Sequence, residues 1–315
     1  MRNFKLLVKR LLKHKAVINT TALLVLFTPG MLLAQVALPA VNLGSTSFED
    51  GYAGPGTLID FTIDHFNADE IMSSTGDTLV DDVDIKTNAG LLLLAHFTEK
   101  KIFGAYYGFE MLIPVVDLDI DVFGRNTASG IGDIAISPVL LQWTDHKLFG
   151  FPIAHRFNLA FAIPTGDYDT QDPLNIGSNA FRFNPHYAIT IEFSKKLEAS
   201  FRAHYLWNSR NDSFREDGGV QQTSQAGEAF HLNFAASYQI SENFRIGANG
   251  YYLKQISSHE INSESIEGKE QVLGFGPGVQ ARYGSYRFIL NAYFESQVES
   301  RAKGHRLAFK IAKVF

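Results

Sequence analysis

Apolar and polar residues alternate with a period of two along most of this chain. In LEASFRAHYLWN, Leu197, Ala199, Phe201, Ala203, Tyr205 and Trp207 share one face, and Glu198, Ser200, Arg202, His204 and Asn208 the other. AFRFNPHYAITIEF sets Phe181, Phe183, Tyr187, Ile189, Ile191 and Phe193 against Arg182, Asn184, His186 and Glu192. AFHLNFAASYQI sets Phe230, Leu232, Phe234 and Tyr238 against His231 and Asn233. SYRFILNAYFE sets Tyr286, Phe288, Leu290 and Phe294 against Arg287, Asn291 and Glu295. The closing RLAFKIAKVF puts Leu307, Phe309, Ile311 and Phe315 opposite Arg306 and Lys310. Successive side chains of a strand point to opposite sides, so each stretch reads as a strand with one apolar and one polar face.

Length decides what the apolar face meets. Strands of soluble sheets average about 5 to 6 residues, whereas these stretches run for about 10 to 14. A tilted strand crosses a bilayer with roughly 9 to 11 residues. In hydrocarbon every backbone N–H and C=O needs a partner, so strands span only as a closed barrel. Aromatic residues gather near strand ends at Tyr106–Tyr107, Tyr205 with Trp207, Tyr251–Tyr252 and Tyr283 with Tyr286, as interfacial girdles do. Short turns (SKK, SEN, GS) alternate with long hydrophilic loops such as SRNDSFREDGGVQQTSQAGE, the usual periplasmic and external asymmetry. The pattern predicts an all-β, single-domain transmembrane antiparallel β-barrel of about twelve strands over residues 57–315. Residues 67–84 and 116–130 alternate less clearly. Residues 35–56, QVALPAVNLGSTSFEDGYAGPG, precede the first strand and either stay in the periplasm or enter the lumen.

Composition narrows the class. A mean hydropathy of -0.04 excludes a bundle of membrane helices, and a net charge of -5 implies no nucleic-acid partner. Residues 1–34 have the layout of a secretory signal peptide: six basic residues up to Lys15, an apolar run interrupted at Pro29–Gly30, and Ala34 as the expected cleavage point. The absence of cysteine rules out a lipoprotein and any disulfide. These features place the protein in the bacterial outer membrane, with outer-membrane lipid and lipopolysaccharide around it. The C-terminal strand ending at Phe315 is the expected signal to the barrel assembly machinery.

A barrel wall turns its polar set inward. That set, Arg182, Asn184, His186, Arg202, His204, His231, Asn233, Arg245, Arg282, Arg287, Asn291 and Glu295, is the candidate substrate-binding lining. Guanidinium, imidazole and amide groups can polarise a phenol or carbonyl or bind a carboxylate. Equally, they can pair with one another and with Asp133, Glu192 and Glu198 to fill a narrow bore. The ten histidines show no His-x-x-x-His spacing, so no metal and no cofactor is expected. Ser200, His204 and Asp133 supply the residue types of a hydrolase, but no GxSxG occurs and no catalytic residue is assigned. GFGPG (274–278) sits inside an alternating strand with no helix after it, so it is a place of close backbone approach rather than a nucleotide loop. The acidic DTLVDDVD (77–84) reads as a solvated loop, and Asp167 to Gly177 as a turn-rich loop that forms a constriction if it folds into the mouth.

Several blocks resemble one family. EDGYAGPGTLIDFTIDHFNAD (49–69), MLIPVVDLDI (111–120), GIGDIAISPVLLQW (130–143), IPTGDYD with NIGSNAFRFNPHYAIT (163–190) and GEAFHLNFAASYQISENFRIGANGYYLKQ (227–255) are similar to the MetA-pathway of phenol degradation family of outer-membrane transporters. Lys313 departs from the usual outer-membrane ending, where an apolar or aromatic residue stands third from the end. The resemblance implies passage of small hydrophobic or aromatic compounds without covalent chemistry. A lipid or ester hydrolase on a barrel scaffold, and a structural or adhesive barrel, are the alternatives.

Overall fold

The computed structural model describes residues 36–215 and 219–315; the expected signal peptide lies outside the described residues. Eighteen strands occur among them. The first six are β1 (Gly56–Met72), β2 (Thr78–Ile102), β3 (Ala105–Asp121), β4 (Arg125–Ile131), β5 (Ala135–Leu148) and β6 (Phe151–Ala162). Next come β7 (Arg182–Phe183), β8 (His186–Glu192), β9 (Leu197–Asn208), β10 (Asn211–Arg215), β11 (Gln221–Gln225) and β12 (Ala229–Ser241). The last six are β13 (Phe244–Gln255), β14 (His259–Ile261), β15 (Glu264–Ile266), β16 (Gln271–Tyr283), β17 (Tyr286–Glu299) and β18 (Ala302–Val314).

Twelve of these make a closed antiparallel barrel. The ring runs β1, β2, β3, β5, β6, β8, β9, β12, β13, β16, β17, β18. The seam is β18 against β1, in register from Leu58 opposite Val314 to Ile71 opposite Ala302. No edge of the ring is left with unpaired backbone, which is what hydrocarbon demands. β4 extends β3, β7 bridges β6 and β9, and β10, β11, β14 and β15 form a separate sheet in the long loops.

The distribution of side chains is that of a soluble protein turned inside out. Phe61, Phe230 and Phe294 are 44%, 54% and 65% exposed, while Asp60, Asp64, Glu198 and Asn233 are each at most 5% exposed. The outward Phe and Leu positions are those that the alternation assigned to lipid. Tyr251 is an exception: expected in a girdle, it is fully buried inside the ring beside Tyr293. The weakly alternating residues 67–84 and 116–130 are strand as well, apart from the turns at 73–77 and 122–124. β2 is 25 residues long and continues past the width of a bilayer, so its outer half has water on one side. Most of the acidic stretch read as a loop, from Thr78 onward, therefore belongs to β2.

Short turns at 194–196, 242–243 and 284–285 cluster at the end where β1 begins and β18 stops, the periplasmic end of such a barrel. There the seam is finished by reciprocal backbone bonds between Thr57 and Phe315, at 3.3 and 2.9 Å. Lys313 fits this place: its ammonium lies 5.1 Å from the Tyr286 ring centroid and 4.2 Å from that of Phe315, and its stem covers apolar surface.

Candidate functional site

The lumen is occupied by the chain itself. Residues 36–55 form no strand, so their backbone groups must find partners elsewhere, and they find them on the inner wall. Near the loop end, the Leu38 N–H donates to Glu270 at 2.7 Å, and Arg182 donates to the Ala40 carbonyl at 3.0 Å. Midway, Asn233 accepts the Gly44 N–H at 2.7 Å and donates to the Asn42 carbonyl at 2.9 Å. The Tyr293 hydroxyl donates to the Gly44 carbonyl at 2.7 Å, and the Ser47 hydroxyl donates to Asn249 at 2.8 Å. Lower down, the Gly51 N–H donates to Thr190, and Gln142 donates to the Gly51 carbonyl, each at 2.8 Å. Gly44 has φ +82, and a Cβ there would run into the Tyr293 ring, so the segment passes the wall closely on a glycine.

Two carboxylates lock the segment. Asp50 accepts from the Arg202 Nε–H at 2.7 Å and from a second guanidinium N–H, a two-pronged pair in which both side chains are mostly buried. Arg156 donates to the Asp50 carbonyl at 3.1 Å. Glu49 pairs with Arg245 at 3.2 Å and with Arg282, and accepts from Gln280 at 2.7 Å. Nearer the loop end the contact is apolar: Leu38, Val41 and Leu43 pack on Met72, Leu253, Val272 and Val298.

Every candidate lining residue lies on the inner side of the ring, but their partners divide them. Arg182, Arg202, Asn233, Arg245, Arg282 and Asn291 bind the N-terminal segment, Asn291 within reach of Ser47 at 3.2 Å. Glu295 accepts from the Tyr251 hydroxyl at 2.8 Å and from the Gly304 N–H at 3.1 Å. Asn184 lies partly buried beside β7. His186, His204 and His231 stand directly opposite one another on β8, β9 and β12. Their rings line up in a row rather than converging on a point, His186 tilted against His204 at 4.5 Å and His204 stacked on His231 at 4.0 Å between centroids. Arg287 stands apart, with no hydrogen-bond or ion-pair partner among the described residues.

The hydrolase combination is not assembled. Ser200 bonds to Thr190 and Glu198, both at 2.7 Å, while the His204 ring nitrogens have no partner. Asp133 instead holds a loop: it accepts from the Gly166 N–H at 3.0 Å, the Ser178 hydroxyl at 2.6 Å and Arg182 at 3.2 Å. Through Arg182 the Asp167 to Gly177 loop is thus connected to the upper end of the internal segment.

Sequence reasoning named the wall and left open whether residues 35–56 fill it or stay in the periplasm. Glu49, Asp50, Asn42 and Ser47, with Arg156, Gln142 and Tyr293 opposite, were not singled out, and Tyr251 was assigned to a girdle instead. One signal was present. The irregular segment ahead of β1 brings adjacent Glu49 and Asp50, and the polar faces of the strands hold arginines for them to meet.

Residues 68–311 match the family described as MetA-pathway of phenol degradation. The chain belongs to this family. A search of curated proteins finds no match. Among solved structures, the COG4313 outer membrane channel from Pseudomonas putida F1 superposes with a TM-score of 0.75 at 16% identity, covering 88% of this chain and 100% of that one. At that identity the likeness concerns the fold, an outer-membrane β-barrel. The transport unit of the autotransporter AIDA-I from Escherichia coli (TM-score 0.49, 9% identity, 91% of this chain and 96% of that one) is more distant. So is a Pseudomonas aeruginosa FadL homologue (TM-score 0.38, 8% identity, 82% and 90%). Within the phenol-degradation family, then, this member carries an N-terminal segment bonded to much of its inner wall.

Proposed function

We propose that the protein is an outer-membrane channel for small hydrophobic or aromatic compounds, working without a covalent step, and that residues 36–55 are its gate. One observation carries this reading. The segment is held by hydrogen bonds and ion pairs to separate side chains, with no secondary structure of its own, so it can leave one contact at a time while the hydrogen-bonded ring stays intact. A structural plug has no need of such a polar, solvatable interface. Apolar side chains inside the ring support the cargo class: Phe66, Val83 and Ile85 form one inward cluster, and Met72, Leu253, Val272 and Val298 another, which Leu38, Val41 and Leu43 of the segment cover until it leaves. Such surfaces give an apolar solute a place to rest, and few polar partners to replace, as passage requires.

The test is flux through purified full-length protein in liposomes, compared with a variant lacking residues 38–51. The channel reading expects entry of a small neutral aromatic that rises on removal of the segment. The filled bore also supports the structural-barrel reading, which expects no flux through the full-length protein.

A further inference from the structure

Below the carboxylate lock, at the periplasmic end, the wall changes character around its circumference. On β2, β1 and β18 the inward positions are Phe97, Leu58 and Val314; on β17, β16 and β13 they are Arg287, Arg282 and Arg245. An apolar arc therefore abuts a cationic arc, and a cavity of about 310 Å³ lies between them, with Tyr52 of the internal segment in its lining.

The cationic arc is out of balance. Arg282 and Arg287 are direct cross-strand partners on β16 and β17, an arrangement that repels. Two carboxylates lie near the arc, and both are engaged: Glu49 by Arg245 and Arg282, and Glu198 by the hydroxyls of Ser200 and Ser237. Arg287 faces the cavity with five N–H donors and no acceptor among the described residues. Unpaired guanidinium beside apolar wall is half of a recognition site: it asks for one carboxylate on a compact apolar body.

We infer that this periplasmic cavity binds small aromatic or alicyclic monocarboxylates, with Arg287 holding the carboxylate and Leu58, Phe97 and Val314 the ring. As a station for cargo it rests on the channel reading above; as a binding site it does not. Neutral aromatics and their acids differ in one group, so the site sorts the two at the periplasmic mouth. A ligand carboxylate there also sits within reach of the arginines that hold Glu49, which links occupancy to the gate.

The experiment is calorimetric titration of the full-length protein in detergent with benzoate, benzamide and inorganic phosphate. Benzoate is expected to bind about tenfold or more tightly than either of the others, because benzamide lacks the charge and phosphate the apolar body. Arg287→Gln should cost benzoate about tenfold and leave benzamide unchanged. Leu58→Asn, which leaves the guanidinium in place, should weaken benzoate as well. Retention of heat-modifiable migration certifies each folded barrel. Equal affinity for benzoate and benzamide, phosphate binding as tightly as benzoate, or an indifferent Arg287→Gln would each overturn the assignment. Liposome flux of a neutral aromatic is read separately: flux without benzoate binding sinks the site alone, and benzoate binding without flux sinks the channel alone.

Discussion

Asp50→Ala isolates the strongest lock on the internal segment. Asp50 and Arg202 have side chains only 11% and 14% exposed, so their pair is buried. Removing one member of a buried ion pair costs about 3 to 5 kcal/mol, chiefly because the other charge is left without a partner. Here that penalty falls on one state alone. With the segment docked, Arg202 is covered; with the segment gone, water reaches the guanidinium in mutant and wild type alike. The docked state should therefore lose the full amount, and with each 1.4 kcal/mol worth a factor of ten, the undocked fraction should rise about a hundredfold to several thousandfold. The chain has no cysteine, so Ser47→Cys supplies a single reporter on the segment. Its rate of labelling by a maleimide measures undocking in the presence and absence of Asp50→Ala. The exchange Asp50→Arg with Arg202→Asp should recover part of the loss, which a nonspecific disturbance would not do. Equal labelling rates with and without Asp50, in barrels that still resist detergent at room temperature, would refute the reasoning.

Three further predictions follow from other parts of the molecule. Gly274→Ala puts a methyl into the Tyr251 ring, which Glu295 fixes from the far side, and should destabilise the barrel by about 1 to 3 kcal/mol in a thermal melt on gels. His204→Leu removes two ring nitrogens that have no partner in a nearly closed site, so it should leave that melt unchanged or raise it by about 1 kcal/mol. In the loop sheet, burial lowers the His259 pKa from 6.5 to about 4, and its Nδ1 accepts the Gly227 N–H at 3.1 Å. A depressed histidine stabilises the sheet fully above pH 6.5, progressively less below it, and not at all below about pH 4. The difference corresponds to roughly 3 kcal/mol. Proteolysis within residues 256–270 should accelerate from pH 7 to pH 4.5, and His259→Gln should flatten that response.

Much of the barrel was legible because a strand of period two records its surroundings directly. Phe201, Phe230 and Leu307 face outward and His231, Asn233 and Arg306 inward, as their positions in the alternation required. β2 and β3 were blurred for a physical reason. Their outer halves stand beyond the membrane, where Asp84, Asp117, Asp119 and Asp121 replace apolar residues on the outer side and the contrast between faces fades. Tyr251 was misplaced because an aromatic near a strand end is equally at home in a girdle or under a hydrogen bond to Glu295; only the parity of its strand tells them apart. The internal segment was the hardest to see. It has no period at all, and its conformation is dictated by partners scattered from Gln142 to Tyr293.

The segment that fills the bore is joined to β1 at Gly56, at the periplasmic rim. It is thus a ligand on a leash. However far it swings out, its local concentration near its own seat stays on the order of millimolar or above, independent of how much protein the membrane holds. If the segment is the gate, reclosure is a first-order event that needs no encounter and no helper, and an opened bore keeps the means of shutting itself.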